Sequence, residues 1–197
     1  MSPTHHSLYT SRVFLAIRLP LTTAAILNKK ARHRAGAYLV DDLRWVAPQQ
    51  QHITLRFLGN VDPVQQQLLI QRLEQALSCN QAFDCMTGHF EFFPNARNPR
   101  ALTLGIHSGQ ELKRLAALCE DIAVETGFTR ESRYFRPHVT LGRFKTHRHV
   151  THSHFYNLPA YRMTVGEIQL MKSISREGGN EYKTIHVFPL HSIEKTA

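Results

Sequence analysis

The sequence predicts an α+β fold. Three observations carry that expectation: segments that alternate or are dense in β-branched and aromatic residues, segments with apolar residues at helical spacing, and an irregular order of the two types instead of strict βαβ alternation. With 197 residues, 42% of them apolar before ten glycines are counted, the chain has material for one core. At this length a domain buries about 70% of its extended-chain surface, so a single unit spanning 1–197 is expected without disulfides or structural metal.

Val13 to Ile17 is an apolar run stopped by Pro20, as expected of a buried strand. Leu21 to about Arg34 reads as a helix with Ala24, Ile26 and Leu27 inward. A second helix is capped by Asp62, has Pro63 in its first turn and repeats Val64, Leu68, Leu69, Leu73 and Leu77 at helical spacing. Ser108 with Glu111 suggests a capping box for a third helix, whose apolar face is Leu112, Leu115, Ala116, Cys119, Ile122 and Ala123 and whose end Gly127 marks. Strands are expected at about 51–58, 83–92, 101–106, 138–144, 162–175 and 183–188. The last two flank Glu177-Gly178-Gly179-Asn180, a strong hairpin turn.

No window approaches the roughly 18 consecutive apolar residues of a membrane span, and the first eleven residues lack a secretory apolar block, so a cytoplasmic protein without membrane association is expected. Cys79, Cys85 and Cys119 are odd in number and lack zinc-ribbon spacing, which makes them ordinary reduced thiols. No glycine-rich phosphate loop is present, and neither ATP nor NAD chemistry has support.

The chain carries 24 Lys and Arg against 15 Asp and Glu, a net charge of +9 with histidine neutral. Lys29, Lys30, Arg32 and Arg34 form one basic segment. Arg130, Arg133, Arg136, Arg143, Lys145 and Arg148, opposed by Glu131 alone, form another. Such segments attract polyanions by neutralising phosphates, and nucleic acid is the partner this suggests.

One short word occurs twice, as His52-Ile53-Thr54-Leu55 and His138-Val139-Thr140-Leu141. Each copy follows a proline, Pro48 or Pro137, and precedes an arginine and a phenylalanine. In a strand the His and Thr share one face while the apolar pair points the opposite way into a core. If the two strands face each other, two imidazoles and two hydroxyls converge, with Arg143 close behind. An imidazole accepts and donates protons near neutrality. Two of them can divide an in-line displacement at phosphorus, while hydroxyls and a guanidinium take the charge on non-bridging oxygens. The arrangement suits phosphodiester cleavage without a metal.

With these motifs the sequence resembles the two-histidine (2H) phosphoesterases, and within them the RNA 2′,3′-cyclic phosphodiesterases historically called 2′-5′ RNA ligases. The resemblance runs from Val13-Phe14-Leu15-Ala16-Ile17-Arg18-Leu19-Pro20 through both motifs and Gly88 to Pro94, ending in the Leu170 to Ser175 strand and the Gly178 to Phe188 hairpin. It implies a bilobal α+β fold with pseudo-two-fold symmetry, two antiparallel sheets facing a central basic cleft, and helices packed outside. The implied substrate is an RNA end with a 2′,3′-cyclic phosphate, opened by water to a 2′-phosphate; tRNA fragments or cyclic nucleotides are its candidates, and a monomer acting without cofactor is expected. The implied roles are protonation of the departing 3′ oxygen by His52, activation of water by His138, and phosphate binding by Thr54, Thr140 and Arg143. Phe14 and Tyr182 resemble aromatic positions near the family's cleft; structural roles explain them at least as well, and they are not counted as site residues. Gly142 stands where relatives often place a larger small-apolar residue.

His147, His149, His152 and His154 form a dense cluster, but mixed spacing, basic neighbours and the lack of a nearby Asp, Glu or Cys favour incidental loop histidines over a metal site. Three other readings stay open: a 2′-5′ RNA ligase running the same site backwards without ATP, a non-catalytic RNA-end-binding module, and a metal-dependent hydrolase built on that cluster.

Overall fold

In the computed structural model of the chain, residues 11–39, 41–146, 159–176 and 179–191 are described. Among them are nine strands, β1 (Ser11–Arg18), β2 (Leu43–Trp45), β3 (His52–Val61), β4 (Phe83–Phe93), β5 (Ala101–His107), β6 (His138–Phe144), β7 (Arg162–Val165), β8 (Glu167–Arg176) and β9 (Gly179–Pro189). Three helices accompany them, α1 (Leu21–Leu39), α2 (Pro63–Leu77) and α3 (Glu111–Glu125), with a 3₁₀ turn at Pro48–Gln50.

The strands form one antiparallel sheet in the order β7-β4-β5-β6-β3-β1-β8-β9, with β2 added against β6. Two separate sheets facing a cleft are therefore not what the chain builds. The order is symmetric about the β6–β3 seam, four strands to each side, and the seam is closed by the pairing of Ile53 with Val139. Left apart, the inner edges of two sheets would each expose unpaired N–H and C=O groups; the pairing at Ile53 and Val139 joins the two edges into one sheet.

The expected strand over 162–175 is divided at Gly166, and its two pieces serve different halves. β7 pairs with β4, whereas β8 pairs with β1 and β9. The closing hairpin forms as expected, β8 and β9 pairing as far as Arg176 and Gly179.

α1 runs one turn further than expected and buries Ala24, Leu27, Ala31 and Ala35. That stripe of small residues at helical period leaves Ile26 on the flank, 43% exposed, which corrects its expected inward position. In α2 the Asp62 carboxylate accepts from the N–H groups of Val64 and Gln65 at 2.9 and 3.0 Å, so the cap stands. Leu69, Ile70, Leu73 and Leu77 are buried, while Val64 and Leu68 fall outside the stripe and are exposed.

The capping box of α3 does not form. The helix begins at Glu111, so Glu111 is its first residue instead of its third, and Gln110 precedes it without a side-chain cap. All six expected apolar positions of α3 are buried. Its end is tied by Thr126 Oγ1 donating to the carbonyls of Ile122 and Ala123, after which Gly127 takes φ +92°.

Most buried apolar side chains of helices and strands belong to one cluster, including Ile53, Leu55, Val139 and Leu141. β1 is buried on both faces: Val13, Leu15 and Ile17 join this core, while Phe14 and Ala16 pack on the opposite face with Met171 and Tyr182. Cys85 and Cys119 are buried free thiols, each pushed up to about 12 chiefly by desolvation, and Cys79 is exposed. No helix among the described residues is long and apolar enough to cross a membrane.

Candidate active site

The two motif strands are neighbours, antiparallel, with Ile53 opposite Val139. That register sets His52 across from Thr140 and Thr54 across from His138. All four share the face opposite the core, because Ile53, Leu55, Val139 and Leu141 are buried. The two histidines stand on the diagonal of this square, a relation that separates side chains by about 7–8 Å. His138 is near enough to be among the groups that depress protonation of His52.

Both rings are held the same way. His52 Nδ1 lies 2.7 Å from the carbonyl oxygen of Gln50, and His138 Nδ1 lies 2.7 Å from that of Arg136. A carbonyl can only accept, so each Nδ1 carries the proton and each Nε2 is left with its lone pair directed away from that bond. The prolines noted in the sequence stand close to these acceptors. Pro48 opens the 3₁₀ turn that ends at Gln50, and Pro137 favours extended backbone at Arg136.

Strict alternation would point Arg143 into the core, since it is five residues from His138. A β-bulge prevents this. Across from β5 the register passes from Leu102–Gly142 to Thr103–Thr140, skipping Leu141, and both Leu141 and Gly142 are buried. The extra residue reverses the parity and returns Arg143 to the face of His138 and Thr140. β3 does the same: its pairing with β1 passes from Ala16–Thr54 to Leu15–Arg56, skipping Leu55, and Phe57 returns to the face of His52 and Thr54. Phe57 and Arg143 therefore hold equivalent places in the two copies, as do Arg56 and Gly142. A Cβ on Gly142 would stand 3.4 Å from Leu43 Cβ, at the near edge of ordinary van der Waals contact, so β2 packs closely over this position.

Sequence reasoning missed several neighbours. Phe93 stacks on His138 with ring centroids 4.7 Å apart and an interplanar angle of 22°. Arg136 lies over the Phe93 ring, 5.1 Å from its centroid, and is held by Glu91 at 2.9 Å. Arg18, the strand partner of His52, donates to the Gln49 carbonyl at 2.5 Å and to Gln169 Oε1 at 3.3 Å. Phe14 and Tyr182 pack on His52 itself at 5.1 and 4.9 Å. For Phe14 and Tyr182 the signal in the sequence is the family resemblance, which sets them near the cleft without counting them as site residues; Phe93 and Arg18 lie in stretches that carry the same resemblance.

Desolvation dominates the electrostatics of both rings. It lowers the His52 pKa to about 4, opposed by the bond to Gln50 and reinforced by Arg143, Arg18 and His138. His138 is lowered for the same main reason, with Arg136 and Arg143 adding to it and its backbone bond and Glu91 opposing. Both imidazoles are thus neutral at pH 7. Unfolded histidine titrates near 6.5, so between that value and about 4 the unfolded chain binds more protons and folding stability falls as the pH falls. Urea unfolding at pH 7 and pH 5 should show this loss in wild type and a smaller one in His52→Gln; equal losses would show that His52 is not the group responsible.

Space around the square is uneven. The recess among Val46, Gln50, His52, Thr140, Arg143 and Tyr182 measures about 10 Å³, room for roughly one water. On the His138 and Thr54 side a groove of about 520 Å³ opens, walled by β3, α3 and the 131–136 segment. The hydroxyls of Thr54 and Thr140 make no hydrogen bond, and Arg143 no ion pair, among the described residues. No cluster of His, Cys, Asp or Glu placed to hold a metal ion occurs among them either. His147, His149, His152 and His154 lie outside the described residues.

A family model for the 2′-5′ RNA ligase superfamily matches residues 29–177. An RNA 2′,3′-cyclic phosphodiesterase of Aquifex aeolicus is 30% identical over 155 residues, covering 75% of this chain and 81% of that protein. One of Bacillus subtilis is 35% identical over 130 residues, covering 66% and 69%. Among solved structures, TT0787 of Thermus thermophilus superposes with a TM-score of 0.74 at 22% identity, covering 92% of this chain and 98% of that one. E. coli LigT complexed with 3′-AMP gives 0.71 at 24% identity, with the same coverage.

Proposed function

Because the chain belongs to the 2′-5′ RNA ligase superfamily, within its RNA 2′,3′-cyclic phosphodiesterase branch, we propose that it opens 2′,3′-cyclic phosphate ends of RNA with water to leave a 2′-phosphate. The observation that carries this reading is the square of two imidazoles and two hydroxyls on one face, each imidazole with Nε2 free.

The reaction is an in-line displacement. His138, which borders the open groove, takes a proton from water on Nε2 as the water oxygen bonds to phosphorus. The bond from phosphorus to the 3′ oxygen breaks, and His52, protonated on Nε2, supplies that oxygen with its proton. Thr54, Thr140 and Arg143 hold the non-bridging oxygens as negative charge grows on them. His52 is neutral in the free protein at pH 7, and the added anionic charge of the phosphodiester draws its pKa upward, so substrate itself prepares the acid. A symmetric square serves the reverse direction too, in which the roles exchange and a 2′-5′ linkage forms without ATP; end-group analysis at equilibrium distinguishes the two.

The uneven space favours one pose. A recess that holds one water receives a phosphate oxygen beside Arg143, not a base, and the terminal nucleoside takes the groove between Phe57 and Phe93. Phe14 and Tyr182 then orient the His52 ring.

The test is turnover of an oligonucleotide ending in a 2′,3′-cyclic phosphate in excess EDTA. Release of a 2′-phosphate end is expected; loss of turnover on chelation would favour a metal-dependent hydrolase, and binding without turnover an RNA-end-binding module. The pH dependence of kcat/KM should be bell-shaped, reporting the coupled histidines of the free protein, and that of kcat should lie at higher pH. A flat profile from pH 5 to 9 with chemistry rate-limiting would defeat the two-imidazole mechanism.

A further inference from the structure

The groove beside His138 continues past the place of the terminal nucleoside. Beyond Phe57 and Phe93 its wall includes Arg133, Tyr134 and Phe135 and, from the first turn of α3, Lys113. Tyr134 is 92% exposed, the most open large hydrophobic side chain among the described residues. An exposed aromatic ring in the wall of a groove offers a face on which a base can stack. Lys113 makes no ion pair among the described residues, while Arg133 is held by Glu131 at 2.6 Å and keeps three quarters of its side chain exposed.

We propose that this part of the groove binds the nucleotide immediately 5′ to the terminal one, its base on Tyr134 and its phosphate toward Lys113. The inference rests on the reading above that the terminal nucleoside lies between Phe57 and Phe93. Three facts select this occupant. The groove's volume of about 520 Å³ falls in the middle of the range of ligand sites, and this part adds an aromatic platform and cations beyond the Phe57 and Phe93 pair. Only four residues, at most about 14 Å of chain, separate Tyr134 from His138, so a strand anchored by its cyclic phosphate reaches Tyr134 with its next base. The 129–146 segment carries Arg130, Arg133, Arg136, Arg143 and Lys145 against Glu131 alone, which favours a polyanion over a neutral peptide. Aromatic stacking with a nearby cation is the recurrent way of holding single-stranded nucleic acid irrespective of base identity. The protein would thereby discriminate an RNA strand end from a free cyclic mononucleotide.

The experiment compares kcat/KM for a trinucleotide ending in a 2′,3′-cyclic phosphate with that for a nucleoside 2′,3′-cyclic phosphate, in wild type, Tyr134→Ala and Tyr134→Phe. Wild type should prefer the trinucleotide by roughly fivefold to a hundredfold, the worth of one stacked base; Tyr134→Ala should lose most of that ratio and Tyr134→Phe keep it. No preference in wild type, or an undiminished preference in Tyr134→Ala, overturns the proposal. The same ratio is read in binding, with a trinucleotide 2′-phosphate against a nucleoside 2′-monophosphate. Absence of turnover with a binding ratio that still depends on Tyr134 would reject the hydrolase reading and uphold the subsite.

Discussion

His52→Ala and His138→Ala are each expected to lower kcat for cyclic-phosphate opening by about 10²- to 10⁴-fold, with KM little changed. In the proposed mechanism each variant removes a proton-transfer partner while leaving Thr54, Thr140 and Arg143 to hold the phosphate. Neither histidine contributes to the main core, and the packing lost is confined to the contacts with Phe14 and Tyr182 or with Phe93. The double variant should fall little further than the worse single one, because two groups acting in one concerted transfer are not additive. Measured rates within threefold of wild type in either single variant would remove that imidazole from the reaction.

Arg56→Ala should cost about 3–5 kcal/mol of folding stability, the loss typical of breaking one side of a buried charge pair. Arg56 keeps 7% of its surface and donates to the carbonyls of Phe57 and Thr129. Its Nε lies 2.5 Å from Glu120 Oε2, 17% exposed, in an ionic contact that lacks the alignment of a hydrogen bond there. One guanidinium thus clamps β3 to α3 and to the turn beyond it, beneath the groove. Removing it leaves the Glu120 carboxylate with only the Glu131 N–H as partner among the described residues; replacing both by apolar residues, as in Arg56→Met with Glu120→Leu, should recover part of the loss. Urea unfolding of the three variants checks this, and a cost below 1 kcal/mol for Arg56→Ala would show that the pair is effectively solvated.

The residues of the square were legible because a strand writes its two faces in alternate letters, and His-x-Thr with β-branched or leucine residues between is such a text. The three helices were legible for the same reason at a different period. What the sequence concealed was long-range or parity-breaking. Nothing in Arg162 to Ser175 says that Gly166 hands the chain from one half of the sheet to the other. Nor does any local signal tell that β3 and β6 pair directly, since edge-to-edge joining depends on backbone groups that every residue shares. The bulges at Leu55 and Leu141 are invisible to a period-two reading, which would have turned Phe57 and Arg143 inward. Glu111 failed as a capping residue because helix starts are fixed by where the chain can turn, and Ser108 came two positions early. Phe93 is distant in sequence from Arg136 and His138, so its place between the two required the fold.

The equivalence of Phe57 and Arg143 has a bearing on how a ligand is oriented. A doubled scaffold would ordinarily offer the same grip at both ends and let an ester enter either way round. Here one arm carries an apolar ring and the other a cation, so in the proposed pose the two ends of an ester meet unlike surfaces. In the proposed mechanism this difference at one side chain per arm adds to the unequal space on the two sides of the square in setting the direction in which an ester enters.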